Sequence, residues 1–236
     1  PTEHSPRLQR RTLILGAAGL VLAGCGRSED QDQVASPKAS QQEPAKSEPS
    51  AALQQKIVTL LGDSITAGLG LPASQALPMR LEEALNAKGV AARVRGAGVS
   101  GDTTAGGLAR VDYSVQDDTD LCIVALGGND MLQGVAPATV RSNLEGIIQA
   151  LKARDIPVLL AGMRAPPQYG SYAAEFDRIY VDLAQKDDVP SYPFLLEGVA
   201  LDRRYNQADG IHPNEAGVRI IAAGLAPVVA TALSKG

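Results

Sequence analysis

Residues 121–151 read LCIVALGGNDMLQGVAPATVRSNLEGIIQAL, and two different periods lie within them. Leu121-Cys122-Ile123-Val124-Ala125-Leu126 is an unbroken apolar run of strand length, closed by Gly127-Gly128; such a run suits a strand buried on both faces. Val140, Leu144, Ile147, Ile148 and Leu151 then recur at i, i+4, i+7, i+8 and i+11, which makes one apolar stripe on a helix. Outward from this pair the alternation continues. Further apolar runs stand at Ile57–Leu61, Ala91–Val94 and Pro157–Ala161, with a weaker one at Tyr192–Leu196, and helical patterns cover Ser74–Lys88, Thr104–Val115, Ala173–Gln185 and Glu215–Leu233. Strand and helix alternating through residues 56–236 predict one α/β domain with a doubly wound parallel sheet. The chemistry of such sheets lies just beyond the carboxyl ends of the strands.

Composition narrows the function. The chain has 236 residues, 44% hydrophobic and 20% charged, which places it among globular proteins. Its 22 Lys plus Arg against 26 Asp plus Glu give a net charge of −4, and the body of the chain holds no basic cluster, so a polyanionic partner is not expected. With no tryptophan and 3% aromatic residues it offers few stacking platforms for single-stranded nucleic acid. Two cysteines and two histidines are too few for a disulfide framework or a Cys/His zinc site. No metal or cofactor is expected.

The first 55 residues read as address and tether. Arg7, Arg10 and Arg11 precede the uncharged run Leu13–Gly24, which is a basic region and an apolar region of signal-peptide length, too short to span a bilayer. The run ends in Leu22-Ala23-Gly24-Cys25, which resembles the lipobox of bacterial lipoproteins. That resemblance implies a signal peptide over residues 1–25 and a lipidated Cys25 that holds the protein to a membrane. Arg10-Arg11 also resembles part of a twin-arginine signal, which leaves the export route open. Residues 26–55 are mostly Ser, Gln, Glu, Pro, Ala and Lys, with Val34 and Leu53 as the large apolar exceptions, and are expected to form a disordered tether. A coil of that length reaches roughly 30 Å. Gly26 stands where many inner-membrane lipoproteins have aspartate, so the resemblance implies the outer membrane, facing the periplasm. Processing would leave His212 as the remaining histidine and Cys122 as an ordinary core thiol.

Four short pieces carry polar chemistry: Gly62-Asp63-Ser64-Ile65-Thr66, Gly98-Val99-Ser100-Gly101-Asp102-Thr103, Gly127-Gly128-Asn129-Asp130, and Asp209-Gly210-Ile211-His212-Pro213-Asn214. Each alone reads as a turn or a helix cap. Together, in this order and spacing, they resemble the SGNH branch of the GDSL hydrolases, and most nearly its bacterial acyl-CoA thioesterase, lysophospholipase and arylesterase subgroup. The resemblance implies a flavodoxin-like three-layer α/β/α sandwich on a mainly parallel five-stranded sheet. It also implies Ser64 as nucleophile, His212 as general base, Asp209 as the acid that orients it, and an oxyanion hole from Ser64, Gly101 and Asn129. Gly96 departs from the asparagine of many relatives, which puts local packing or pocket shape in question.

Acyl transfer asks for these residue types on its own account. A serine hydroxyl is a weak nucleophile until an imidazole takes its proton, and a carboxylate fixes the imidazole's tautomer. Backbone N–H groups and an amide can hold the oxyanion. The expected activity is therefore hydrolysis of small-molecule or lipid acyl esters and thioesters. A carbohydrate O-acetylesterase would use the same groups, with Tyr169, Tyr172 and Tyr205 standing in for the missing tryptophan. A catalytically inactive, lipid-anchored binding protein is the alternative of another class.

Overall fold

The structure, a computed structural model, describes residues 55–235. The expected signal peptide with Cys25, and the tether up to residue 54, lie outside the described residues.

The elements run β1 (Lys56–Gly62), α1 (Ser64–Ala67), α2 (Leu77–Ala87), β2 (Ala92–Gly98), α3 (Thr104–Ser114), β3 (Leu121–Ala125), α4 (Gly128–Gln133), α5 (Pro137–Lys152), β4 (Val158–Ala161), α6 (Ser171–Lys186), β5 (Ser191–Tyr192) and α7 (Glu215–Leu233). The five strands form one sheet in the order β2-β1-β3-β4-β5, and every pairing is parallel. Helices α2 and α7 pack together on one face; α3, α5 and α6 pack in sequence on the other. Both faces of the sheet are thus covered, which is why all five side chains of β3 are buried and the strand reads as an unbroken apolar run. The stripe on α5 is buried at all five of its positions. Helix α7 is apolar enough in composition to cross a membrane, but Val218, Ile221, Leu225 and Val229 are buried in the core.

Three boundaries differ from the sequence reading. The helix expected from Ser74 begins at Leu77, after a separate 3₁₀ turn at Ala73–Gln75, because Pro78 lacks an N–H and fits only the first turn of a helix. Strand β2 runs on to Gly98, its Gly96-Ala97-Gly98 tail held in register by Leu60, Leu61 and Gly62 of β1 rather than by apolar side chains of its own. The fifth strand is only Ser191–Tyr192; residues 193–196 turn away from the sheet, with Leu195 N–H donating to the carbonyl of Gly162. Gly96 itself has a packing reason. A Cβ there would lie 2.8 Å from Cγ of Pro78, so the glycine admits α2 against the strand. It does not line the cleft described below.

The chain leaves β1 toward β2 on one side and builds β3, β4 and β5 on the other, so the strand order reverses between β1 and β3. A crevice opens at such a reversal. Ser64 follows β1 and Asn129 follows β3.

Candidate active site

Ser64 is the first residue of α1, a four-residue helix capped by Asp63, whose Oδ1 accepts from the N–H of Ile65 at 3.0 Å. The cap and the short helix turn the chain off the sheet and hold Ser64 just beyond the carboxyl end of β1, an interior strand. From the other end of the chain, the loop before α7 brings His212, with Nε2 2.9 Å from Ser64 Oγ. Asp209 organises that loop through both carboxylate oxygens. Oδ1 accepts from the N–H groups of Ile211 at 2.9 Å and His212 at 3.0 Å, while Oδ2 lies 2.6 Å from Nδ1 of the His212 ring. The bond to the imidazole, helped by the two backbone N–H groups, draws the Asp209 carboxyl down to about 2. Asp209 therefore stays ionised through the whole physiological range, and its charge favours a proton on Nδ1. That leaves Nε2 free to accept from Ser64. Gln207 anchors the loop: its Nε2 donates to the carbonyls of Leu69, at 2.8 Å, and Pro213, at 3.0 Å.

Asn129 lines the same cleft as Ser64, and the Gly101 loop is joined to Asn129 through the Asp102 carbonyl. Gly101 has φ +84°, a left-handed conformation natural to glycine, and no atom lies within 4 Å of where its Cβ would be. The backbone there is open to close approach by a ligand. Asn129, on α4, donates from Nδ2 to the carbonyl of Asp102 at 2.8 Å and, at a long 3.4 Å, to Oδ2 of Asp63. One amide hydrogen thus fixes the side chain while the other is held only weakly. The next residue, Asp130, is buried and accepts from the N–H of Thr104 at 2.8 Å and its hydroxyl at 2.6 Å, which ties α4 to the start of α3.

Asp63 is a member of the site that the sequence did not single out. Its side chain is buried, and burial pushes the carboxyl from 3.8 up to about 6, against the lowering effects of the Ile65 N–H and of His212. A carboxyl raised in the folded state binds its proton more tightly there than in the unfolded chain. Its favourable contribution is complete below about pH 4 and is lost as pH rises through about 6, so at pH 8 the ionised group costs about 3 kcal/mol. Asp63→Asn keeps an oxygen for the cap and removes the charge. It should raise the thermal midpoint at pH 8 by roughly 6–12 °C, with the gain vanishing near pH 4. Calorimetric scans at the two pH values check this; a lower midpoint at pH 8, or a gain that persists at pH 4, would contradict it.

The Ser64 hydroxyl opens onto a cleft of about 460 Å³. Its walls are mainly apolar, with Met131, Met163, Phe194, Leu196 and Ile211 prominent, and Ser64, Asn129 and His212 stand on one side. Arg164 also lines it, its guanidinium 5.3 Å from the centre of the Phe194 ring. Cys122 is fully buried in β3, where desolvation pushes its thiol up to about 12, and it lies outside this chemistry. Among the described residues no group of three or more His, Cys, Asp or Glu side chains is arranged to hold a metal ion.

A doubly wound sheet that presents a hydroxyl, an imidazole and a carboxylate in one hydrogen-bonded line beside an apolar cleft has the build of an ester hydrolase. The sequence model of the GDSL-like Lipase/Acylhydrolase family matches residues 60–220, and the chain belongs to that family. It is a carboxylic ester hydrolase of the SGNH type. It is 43% identical over 156 residues to Esterase TesA of Pseudomonas aeruginosa, covering 65% of this chain and 78% of that one. To the Thioesterase 1/protease 1/lysophospholipase L1 of Escherichia coli K12 it is 41% identical over 157 residues, covering 66% and 74% of the two chains. The crystal structure of AlinE4, an SGNH-hydrolase family esterase, superimposes with a TM-score of 0.64 at 46% identity, covering 76% of this chain and 97% of that one.

Proposed function

We propose that the protein hydrolyses carboxylic esters and thioesters of apolar acyl chains through a serine-centred triad. The single observation that carries the reading is the continuous line Ser64 Oγ, His212 Nε2, His212 Nδ1, Asp209 Oδ2, with links of 2.9 and 2.6 Å, at the mouth of an apolar cleft. Ser64 Oγ attacks the acyl carbon as its proton passes to Nε2 of His212. The carbonyl oxygen becomes an oxyanion, held by the N–H groups of Ser64 and Gly101 and by the loosely held hydrogen of Asn129. Collapse breaks the bond to the alkoxide or thiolate, which takes the proton from His212 and leaves. Water, giving its proton to His212, then attacks the acyl-serine; collapse breaks the bond to Ser64 Oγ, which takes the proton back from His212, and the carboxylic acid is released. Asp209, ionised throughout, stabilises the imidazolium formed at each step.

The cleft sets the expected substrate preference. Each methylene moved from water onto an apolar wall contributes about 0.8 kcal/mol, which is several-fold in kcat/KM as long as the chain remains in the cleft. Across 4-nitrophenyl esters from acetyl to hexanoyl, kcat/KM should therefore climb roughly tenfold per added pair of carbons. An O-acetylesterase would instead be fastest on acetyl. The tyrosines that could stack on a sugar are engaged elsewhere: Tyr172 stacks on Phe176 and donates to the carbonyl of Val135, and Tyr205 lies beneath Arg204. Neither they nor Tyr169 line the cleft. A profile flat or falling from acetyl onward would overturn the acyl-chain reading.

For location, the proposal keeps the reading of Leu22-Ala23-Gly24-Cys25 as a lipobox. A lipid on Cys25 would hold the enzyme in the cell envelope, near lysophospholipids and other envelope esters and away from cytoplasmic acyl-CoA. The tether would raise its effective concentration against membrane-held substrate.

A further inference from the structure

Arg110, midway along α3, is an arginine with a side chain only 7% exposed, and all three of its nitrogens are engaged. Nε donates to Oδ2 of Asp102 at 2.6 Å. Nη1 donates to the carbonyl of Ala97 at 2.9 Å and to Oγ of Ser114 at 3.1 Å, and Nη2 donates to the carbonyl of Gly62 at 2.8 Å. Such a fork serves where several acceptors must be held in one plane, a task an ammonium group cannot match. The identity of the acceptors matters more than their number. Gly62 is the last residue of β1, two before Ser64; Ala97 is in the tail of β2, whose end leads into the Gly101 loop; Asp102 follows Gly101 and offers its own carbonyl to Nδ2 of Asn129 at 2.8 Å. One guanidinium therefore touches the chain beside each of the two backbone donors of the oxyanion hole and, through Asp102, the side chain that is the third.

We infer that Arg110 is a positioning residue that sets the three oxyanion donors, Ser64 N–H, Gly101 N–H and Asn129 Nδ2, at their working separation. It touches no substrate, being behind the loops rather than in the cleft. The inference rests on the proposed hydrolytic role of Ser64. Its physical content is that oxyanion stabilisation depends on donors already in place when the charge develops, and displacements on the order of 1 Å cost up to about a hundredfold. A staple that only held the fold would change stability and leave the turnover of each folded molecule as it was.

The test uses Arg110→Lys, which keeps the charge but cannot bridge Asp102, Ala97 and Gly62 together. Active sites are counted by the end point of phosphonylation with a fluorophosphonate, so that kcat refers to folded, competent molecules. Per titrated site, kcat on 4-nitrophenyl butyrate should fall roughly 10- to 100-fold with KM within about threefold. The Ki of an alkyl trifluoromethyl ketone, whose adduct on Ser64 carries an oxyanion, should rise in proportion, while the Ki of the product carboxylate stays level. Unchanged kcat per site with a lower thermal midpoint would overturn the inference, as would an effect confined to KM. Should Arg110→Lys not fold, Asp102→Asn loosens the same clamp from its other end. It should lower kcat per site about 3- to 10-fold with KM steady, and unchanged kcat there overturns the inference equally. Wild-type protein that is not phosphonylated at Ser64 would bring down the hydrolytic reading and this inference together; labelled wild type with an undisturbed Arg110→Lys would bring down this inference alone.

Discussion

Ser64→Ala should lower kcat for ester hydrolysis by up to about a millionfold, and His212→Ala should do nearly as much. In the proposed mechanism the two side chains, 2.9 Å apart, form one proton-transfer unit, so neither has a role in covalent catalysis without the other. For that reason the double variant should be no slower than the slower single one. Losses that multiplied would show that the two residues act separately. Stability offers the control. Removing Oγ of Ser64 forfeits one hydrogen bond, worth about 1 kcal/mol, and should shift the thermal midpoint by only about 2–4 °C. Purified Ser64→Ala that retained a substantial part of wild-type kcat would remove the nucleophile from the account.

Asn129→Ala should cost roughly a hundred- to a thousandfold in kcat, with KM changed little, because in the proposed mechanism the amide binds an oxygen that carries charge only in the transition state. The substitution also strips the Asp102 carbonyl of a donor at 2.8 Å and Asp63 of its long contact, so a moderate fall in thermal midpoint should accompany the loss. Steady-state kinetics at several substrate concentrations separate the parameters. A change confined to KM would make Asn129 a substrate-binding residue instead.

Much of the fold was legible because its signals are local. The buried run of β3 and the stripe of α5 each show their period within a single window, and a parallel sheet covered on both faces follows from repeating that unit. The polar pieces around Ser64, Asn129 and His212 were legible because each occupies a few consecutive residues at a strand end or before a helix. The structure brings those pieces, up to 148 residues apart, within hydrogen-bond reach. The extents of helices α1 and α4 were not legible because four and six residues are too few to display a helical period. The glycine-rich tail of β2 escaped because it is held by its neighbour strand. Asp63 and Arg110 are a different matter. Asp63 lies within the Gly62–Thr66 piece, but its charge matters through burial, and Arg110 through acceptors drawn from three separate segments, so neither role shows in the neighbouring residues.

The measurement that bears most directly on the central claim is the site of reaction with a fluorophosphonate. Phosphonylation releases fluoride and forms an ester at the attacking oxygen, and it proceeds readily only at a serine whose proton has a base to receive it. Peptide mass spectrometry of the labelled protein should find the phosphonate on Ser64 in one-to-one amount, with concurrent loss of esterase activity and with labelling suppressed in His212→Ala. Full esterase activity surviving in protein labelled elsewhere, or left unlabelled, would contradict the account.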